Sequence, residues 1–212
     1  RTTRLRCPIC ARPRRPPTPT ERDPGLPRLT RATASLTQEI RVLDAAGEER
    51  TIRIPDERPL TIYVDKRELV TLMTLGQYPE WLVLGYLLNQ RLIDDGRQLA
   101  SVTVDWSVDS AAVRTRAGTT GSKALRTGAV RPVLGTGCAQ ATMFAEQMAD
   151  LGTMRQPAVD GARIDRVTLL AALERMRAQP SVYREAGSVH GTALFHGSEL
   201  LFFVEDVGRH NA

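Results

Sequence analysis

Residues 183–212 read YREAGSVHGTALFHGSELLFFVEDVGRHNA, and their pattern points to the kind of sheet this chain builds. Leu200 to Val204 is a continuous apolar run that follows the short turn His196-Gly197-Ser198. Such a run predicts a strand buried on both faces, as in sheets covered by helices. The strand ends in Glu205, Asp206, Arg209 and His210, so it delivers charged and titratable groups to one end of the sheet. The glycine turns Ala186-Gly187-Ser188 and Val207-Gly208 stand at strand ends, where α/β sheets place ligands. The chain stops at Asn211-Ala212 without a turn or cap, so the stretch reads as the edge of a fragment whose C-terminal continuation is missing.

Upstream, Val167, Leu170, Ala171, Leu173 and Met176 recur at helical spacing from Asp165 to Arg177, and Gln179-Pro180 stops the helix. Further back, Gly135-Thr136-Gly137-Cys138 leads into the helical sequence Ala139 to Met148, which places Cys138 at or just before a helix N-terminus. Amide groups and the helix dipole favour a thiolate there, below the ordinary thiol pKa of about 8.5. The same position suits a small buried residue closing a glycine loop, and spacing alone does not choose between the two. Strands and helices thus alternate after residue 130, the pattern of an α/β domain built on a sheet. Arg114 to Arg131, with three glycines among Thr, Ser and basic residues, reads as a loop, either an active-site lid or a surface excursion.

Residues 34–110 have a different texture. Glu39 to Leu43 and Thr51 to Ile54 alternate polar and apolar around Ala45-Ala46-Gly47-Glu48, which predicts a hairpin. Leu60 to Val64 follows as a third strand, and Asp65-Lys66 turns it into a fourth near Leu69 to Met73. Pro79-Glu80 opens a helix whose Trp81, Leu84, Tyr86, Leu87 and Leu88 are expected to pack on the sheet as a core helix. Ser101 to Val108 alternates again and closes a small β-rich unit with one helix.

Residues 1–33 are expected to be a disordered basic arm. Nine arginines face only Glu21 and Asp23 in residues 1–31, so +7 of charge sits there and −2 on the remainder of a chain whose net charge is +5. Seven of the 13 prolines also fall in the arm, a composition that cannot bury enough apolar surface to offset chain entropy. The acidic remainder argues against nucleic acid as the partner of the folded part. Cys7-Pro8-Ile9-Cys10 has the spacing of half a zinc knuckle, but the only other cysteine is Cys138, so no structural metal is expected. No apolar run reaches the roughly 18 residues of a membrane span, and the Arg/Pro-rich start lacks the apolar centre of a secretory signal, so a cytoplasmic protein is the expectation.

The blocks ELVTLMTLGQYPEWLVLGYLLNQRLI, GTGCAQATMF and YREAGSVHGTALFHGSELLFFVEDVGRHNA resemble the FdhD/NarQ family of formate dehydrogenase accessory sulfurtransferases, from about Ala34 to Ala212. The resemblance implies a cytidine-deaminase-like main domain, residues 111–212 and incomplete, behind the small β-rich domain of residues 34–110. It also implies a function: taking persulfide sulfur from a cysteine desulfurase and passing it to the molybdenum bis-guanine-dinucleotide cofactor, bound as substrate, that activates formate dehydrogenase. The implied partners are the desulfurase and the formate dehydrogenase catalytic subunit, and a homodimer is the implied state.

Residue by residue, the resemblance makes Cys138 the catalytic persulfide carrier and Gly187, His190, Asp206, Gly208, Arg209, His210 and Asn211 the cofactor-binding set. Two departures stand out: Ala141 replaces the second cysteine of the Cys-x-x-Cys loop that many members have, and Ser188 adds bulk where a glycine pair is more usual. Chemically, Arg209 offers a donor fork for a phosphate or carboxylate, and Asp206 suits either a guanine edge or an ion pair with Arg209. His190 and His210 suit hydrogen bonds and proton transfer. A zinc deaminase is excluded in the folded part, which lacks His-x-Glu and Pro-Cys-x-x-Cys. The alternative from another class is a non-catalytic cofactor-binding chaperone in which Cys138 is structural.

Overall fold

The computed structural model describes residues 25–117 and 163–212. Cys7, Cys10, the greater part of the Arg114–Arg131 loop, and Cys138 with the helix expected after it lie outside the described residues.

Alternation builds the main sheet. In β4 (Arg58–Val64) every second side chain, Leu60, Ile62 and Val64, is buried, and β5 (Arg67–Thr74) pairs antiparallel to it through the Asp65-Lys66 turn. β6 (Leu99–Asp105) and β7 (Ser110–Thr115) form a second hairpin, and β7 runs parallel to β4. β1 (Arg28–Leu29) adds parallel to β6, giving a five-stranded mixed sheet in the order β1-β6-β7-β4-β5.

Three expectations shift here. The ordered chain includes Arg28-Leu29 and Thr30, inside the arm predicted as disordered, because strand pairing and the Thr30 Oγ1 donation to buried Glu80 hold them. The strand predicted from Ser101 to Val108 ends at Asp105, and residues 106–109 turn instead into β7, which carries the sheet past the boundary placed at 110. Trp106 leaves the strand to donate its indole N–H to Ala32 O and to pack against Gly76, where a Cβ would lie 2.9 Å from the ring.

α1 (Pro79–Asn89) starts on a proline that needs no amide partner at that position. Its buried face is Val83 and Leu87, packed with Leu60, Ile62, Leu72, Val102 and Val113 into one core. Each such aliphatic side chain taken out of water contributes about 1.5–3 kcal/mol. The expected core helix is therefore corrected on one face: Trp81 is 60% exposed and Leu88 is also exposed, since they lie off the Val83/Leu87 stripe.

The hairpin of β2 (Thr37–Leu43) and β3 (Glu49–Pro55) forms as expected, its turn held by Asp44 Oδ1 accepting from the amides of Ala46 and Glu48. In the C-terminal part, α2 (Arg166–Arg177) is capped by Asp165, whose carboxylate accepts from the amide and hydroxyl of Thr168. α3 (Val182–Ala186) leads into β8 (His190–His196), which pairs antiparallel with β9 (Glu199–Asp206) as a two-stranded ribbon. β9 is not buried on both faces as its apolar run predicts. Leu201 and Phe202 are exposed, and only its last residues, Glu205 and Asp206, are fully buried, because it has a single partner strand among the described residues. A second cluster of Leu75, Val182 and Val189, backed by Val207, joins these elements to the end of β5.

Candidate functional site

The end of β9 turns back onto the link between β5 and α1, and the turn is organised by one carboxylate. Asp206 is 5% exposed and accepts four hydrogen bonds. Oδ2 takes the Thr74 hydroxyl and the Leu75 amide, while Oδ1 takes the Gly208 amide and Asn211 Nδ2, each at 3.0 Å. Asn211 Nδ2 also donates to Met73 O at 2.8 Å, so its amide bridges the motif to the last residues of β5. The amides of Asn211 and Ala212 close the loop on Gly208 O. Gly208 is a glycine for lack of room, since a Cβ there would lie 2.9 Å from Asn211 Nδ2.

Glu205, equally buried, faces the other way. Its carboxylate accepts from the N-cap hydroxyl Ser181 Oγ at 2.8 Å and from the first two amides of α3, Val182 at 2.6 Å and Tyr183 at 3.4 Å. The Glu205 amide itself donates to Gln77 Oε1 at 2.8 Å.

Between this loop and α1 lies a groove of about 570 Å³, a size suited to a small organic ligand. One wall is aromatic: Tyr78 and Trp81 stand 5.5 and 6.0 Å from the Phe202 ring in tilted pairs. Side-chain amides of Gln77, Asn89 and Gln90, with His210 and Asn211, supply polar edges, and the open notch at Gly85 leaves the α1 surface accessible. Burial raises the Tyr86 phenol above its ordinary pKa, so it enters the groove as a neutral hydroxyl.

The expected cofactor-binding residues separate into two groups. Asp206, Gly208 and Asn211 come together as the frame of the loop, and both Asp206 oxygens are taken up within the chain. Arg209 and His210 are carried on the exposed side of that frame, with His210 lining the groove. His190 opens β8 directly across from Asp206 and is exposed, and Gly187 ends α3 with φ +69°. Cys138 lies outside the described residues. Sequence reading missed Thr74, Gln77, Tyr78, Trp81 and Phe202. For Thr74, Gln77, Tyr78 and Trp81 the signal is the polar Gly76-Gln77-Tyr78 link between a strand and a proline-started helix, a loop type that commonly carries function, whereas Phe202 is one of several apolar residues in β9 with no such mark. Among the described residues no cluster of His, Cys, Asp and Glu is able to hold a metal ion, and no helix is long and apolar enough to cross a membrane.

The FdhD/NarQ family pattern matches residues 55–212, from the end of β3 through the closing loop. The chain belongs to the FdhD/NarQ family. The chain is 27% identical over 176 residues to the sulfur carrier protein FdhD of Listeria monocytogenes, covering 82% of this chain and 66% of that one. It is 29% identical over 160 residues to the protein of the same name in Bacillus subtilis, covering 76% and 59%. A shorter stretch of 51 residues is 45% identical to sulfur carrier protein FdhD of Saccharolobus solfataricus, covering 24% of this chain and 20% of that one. The chain thus spans roughly three-fifths to two-thirds of the length of the first two relatives. A solved structure of a protein described as a formate dehydrogenase accessory protein, from Desulfotalea psychrophila, has the same fold, with a TM-score of 0.54 at 20% identity over 84% of this chain and 65% of that one.

Proposed function

We propose that this FdhD/NarQ member is a sulfur carrier of sulfurtransferase type, which takes persulfide sulfur from a cysteine desulfurase and passes it to a molybdenum bis-guanine-dinucleotide cofactor, its bound substrate, for formate dehydrogenase. The observation that carries this reading is the family match across residues 55–212, which spans both Cys138 and the closing motif. The names of the Listeria and Bacillus relatives, sulfur carrier protein, support it.

Cys138 is the carrier in this reading. Its thiolate attacks the outer sulfur of the donor persulfide, a new S–S bond forms at Cys138, and the donor cysteine leaves as a thiolate. Releasing the carried sulfur as sulfide takes two electrons. A second thiol supplies them by attacking the Cys138 sulfur and closing a disulfide, and because Ala141 stands at the loop's second position that thiol comes from outside the loop. The groove suits the substrate's planar rings: Tyr78, Trp81 and Phe202 offer stacking faces, and the side-chain amides of Asn89 and Gln90 offer hydrogen bonds to ring edges. Arg209, His210 and His190, at the same end of the sheet, suit its phosphates. The cytidine-deaminase-like main domain, the homodimer, the cytoplasmic location and the pairing with formate dehydrogenase belong to the same proposal.

Intact-mass measurement after incubation with a cysteine desulfurase and cysteine tests it. The expected result is an adduct of about 32 Da, one sulfur atom, that disappears in Cys138→Ala. No adduct, or one that survives the substitution, removes the carrier role and leaves the cofactor-binding chaperone.

A further inference from the structure

Both walls of the groove hang on one short link. Thr74 ends β5, Pro79 starts α1, and Thr74, Leu75 and Gln77 hold the closing motif at two consecutive residues, by the Asp206 carboxylate and the Glu205 backbone amide. Thr74 Oγ1 accepts the Gly76 amide at 3.1 Å, which directs the hydroxyl proton to Asp206 Oδ2. The chain of bonds then runs through Asp206 to the Gly208 amide and Asn211 Nδ2, the two anchors of the loop that carries Arg209 and His210. Three residues after Thr74, Gln77 Oε1 takes the Glu205 amide, and Tyr78, the next residue, is already part of the aromatic wall.

We propose that Thr74 and Gln77 are positioning residues: acting through Asp206 and Glu205, they fix the loop bearing Arg209 and His210 relative to the aromatic face of α1, and so set the opening of the groove. Neither side chain needs to touch the ligand. A loop and a helix joined in this way keep their spacing as one body, whereas a loop held only by its own turn keeps its shape but not its distance from α1. The ligand half of the test rests on the reading under Proposed function, and its substrate class supplies the probe, guanosine diphosphate.

The test compares Thr74→Val with Thr74→Ser in the full chain. Valine keeps the volume and removes the hydroxyl, while serine keeps it. Amide hydrogen exchange at Gly208, Asn211 and Ala212 is read together with guanosine diphosphate affinity. Thr74→Val is expected to speed exchange at those three amides, with β4 and β6 unchanged, and to weaken the nucleotide roughly tenfold, as misplacement of a binding group does. Thr74→Ser is expected to restore both. Should valine leave exchange in the loop unchanged, or serine fail to restore it, the positioning role is overturned. If Thr74→Val does not fold, Gln77→Leu against Gln77→Glu gives the same comparison at the second anchor, since only glutamate keeps an acceptor for the Glu205 amide. Exchange that follows the prediction in a protein whose wild type ignores the nucleotide supports the clasp and counts against the functional reading, so the two fail separately.

Discussion

Gly208 and Asn211 meet so closely that a methyl group on Gly208 would sit 2.9 Å from Asn211 Nδ2. That nitrogen bonds both Asp206 Oδ1 and Met73 O, so the contact decides whether the closing loop stays attached to β5. Gly208→Ala is expected to push the Asn211 amide off its two acceptors and to destabilise the fold by about 1–3 kcal/mol, as overpacking does. Urea unfolding measures the loss. A midpoint equal to wild type would mean that the loop absorbs the methyl and that Asn211 holds nothing of consequence.

Glu205 is a buried acid with three donors from the start of α3. Glu205→Gln keeps the shape but turns an NH2 group toward a backbone N–H, and the unmet donor is expected to cost about 1–3 kcal/mol. Thermal unfolding read by circular dichroism checks this, with early exchange at the Val182 and Tyr183 amides as the local signature.

Trp81 belongs to the groove rather than to the core. Because it is 60% exposed, Trp81→Ala is expected to change stability by less than about 1 kcal/mol. Nucleotide affinity, by contrast, is expected to fall at least several-fold, and calorimetric titration of the variant against wild type reads the difference directly. Unchanged affinity would take the aromatic wall out of the binding site.

Acid releases the cap of α2 only after ordinary carboxylates have begun to protonate. The amide and then the hydroxyl of Thr168 hold the Asp165 carboxyl below its ordinary pKa. A depressed folded-state pKa means that the cap contributes fully above the unfolded value, about 3.9, and is lost as pH falls from there through the lower folded value. Chemical-shift titration of Thr168 is therefore expected to show the cap intact at neutral pH and opening only below about pH 4. Asp165→Asn, which still caps but carries no charge, is expected to flatten that transition.

Much of the fold was legible because local chemistry and tertiary need agreed. Alternation marked β4 and β5, a proline marked the first residue of α1, and Asp165 marked the start of α2. β7 was not legible: Ser-Ala-Ala-Val-Arg-Thr has small side chains and is a strand because β4 and β6 flank it. β9 misled in the opposite sense, since an apolar run looks the same whether sheet partners or open solvent face it, and Leu201 is exposed while the half-exposed Phe202 lines the groove. At the site, the charged residues of the closing motif were visible as a group. Which of them face inward was not, because Asp206 owes its burial to Thr74 and Leu75, more than 130 positions away in the chain.

The most direct test of sulfur transfer follows radiosulfur from labelled cysteine, through a cysteine desulfurase, onto this protein and into the molybdenum cofactor of formate dehydrogenase. The prediction is that label resides on Cys138, leaves it when an external thiol and the cofactor are supplied, and appears in the cofactor together with formate dehydrogenase activity. Equal labelling of the cofactor by the Cys138→Ala protein would contradict it.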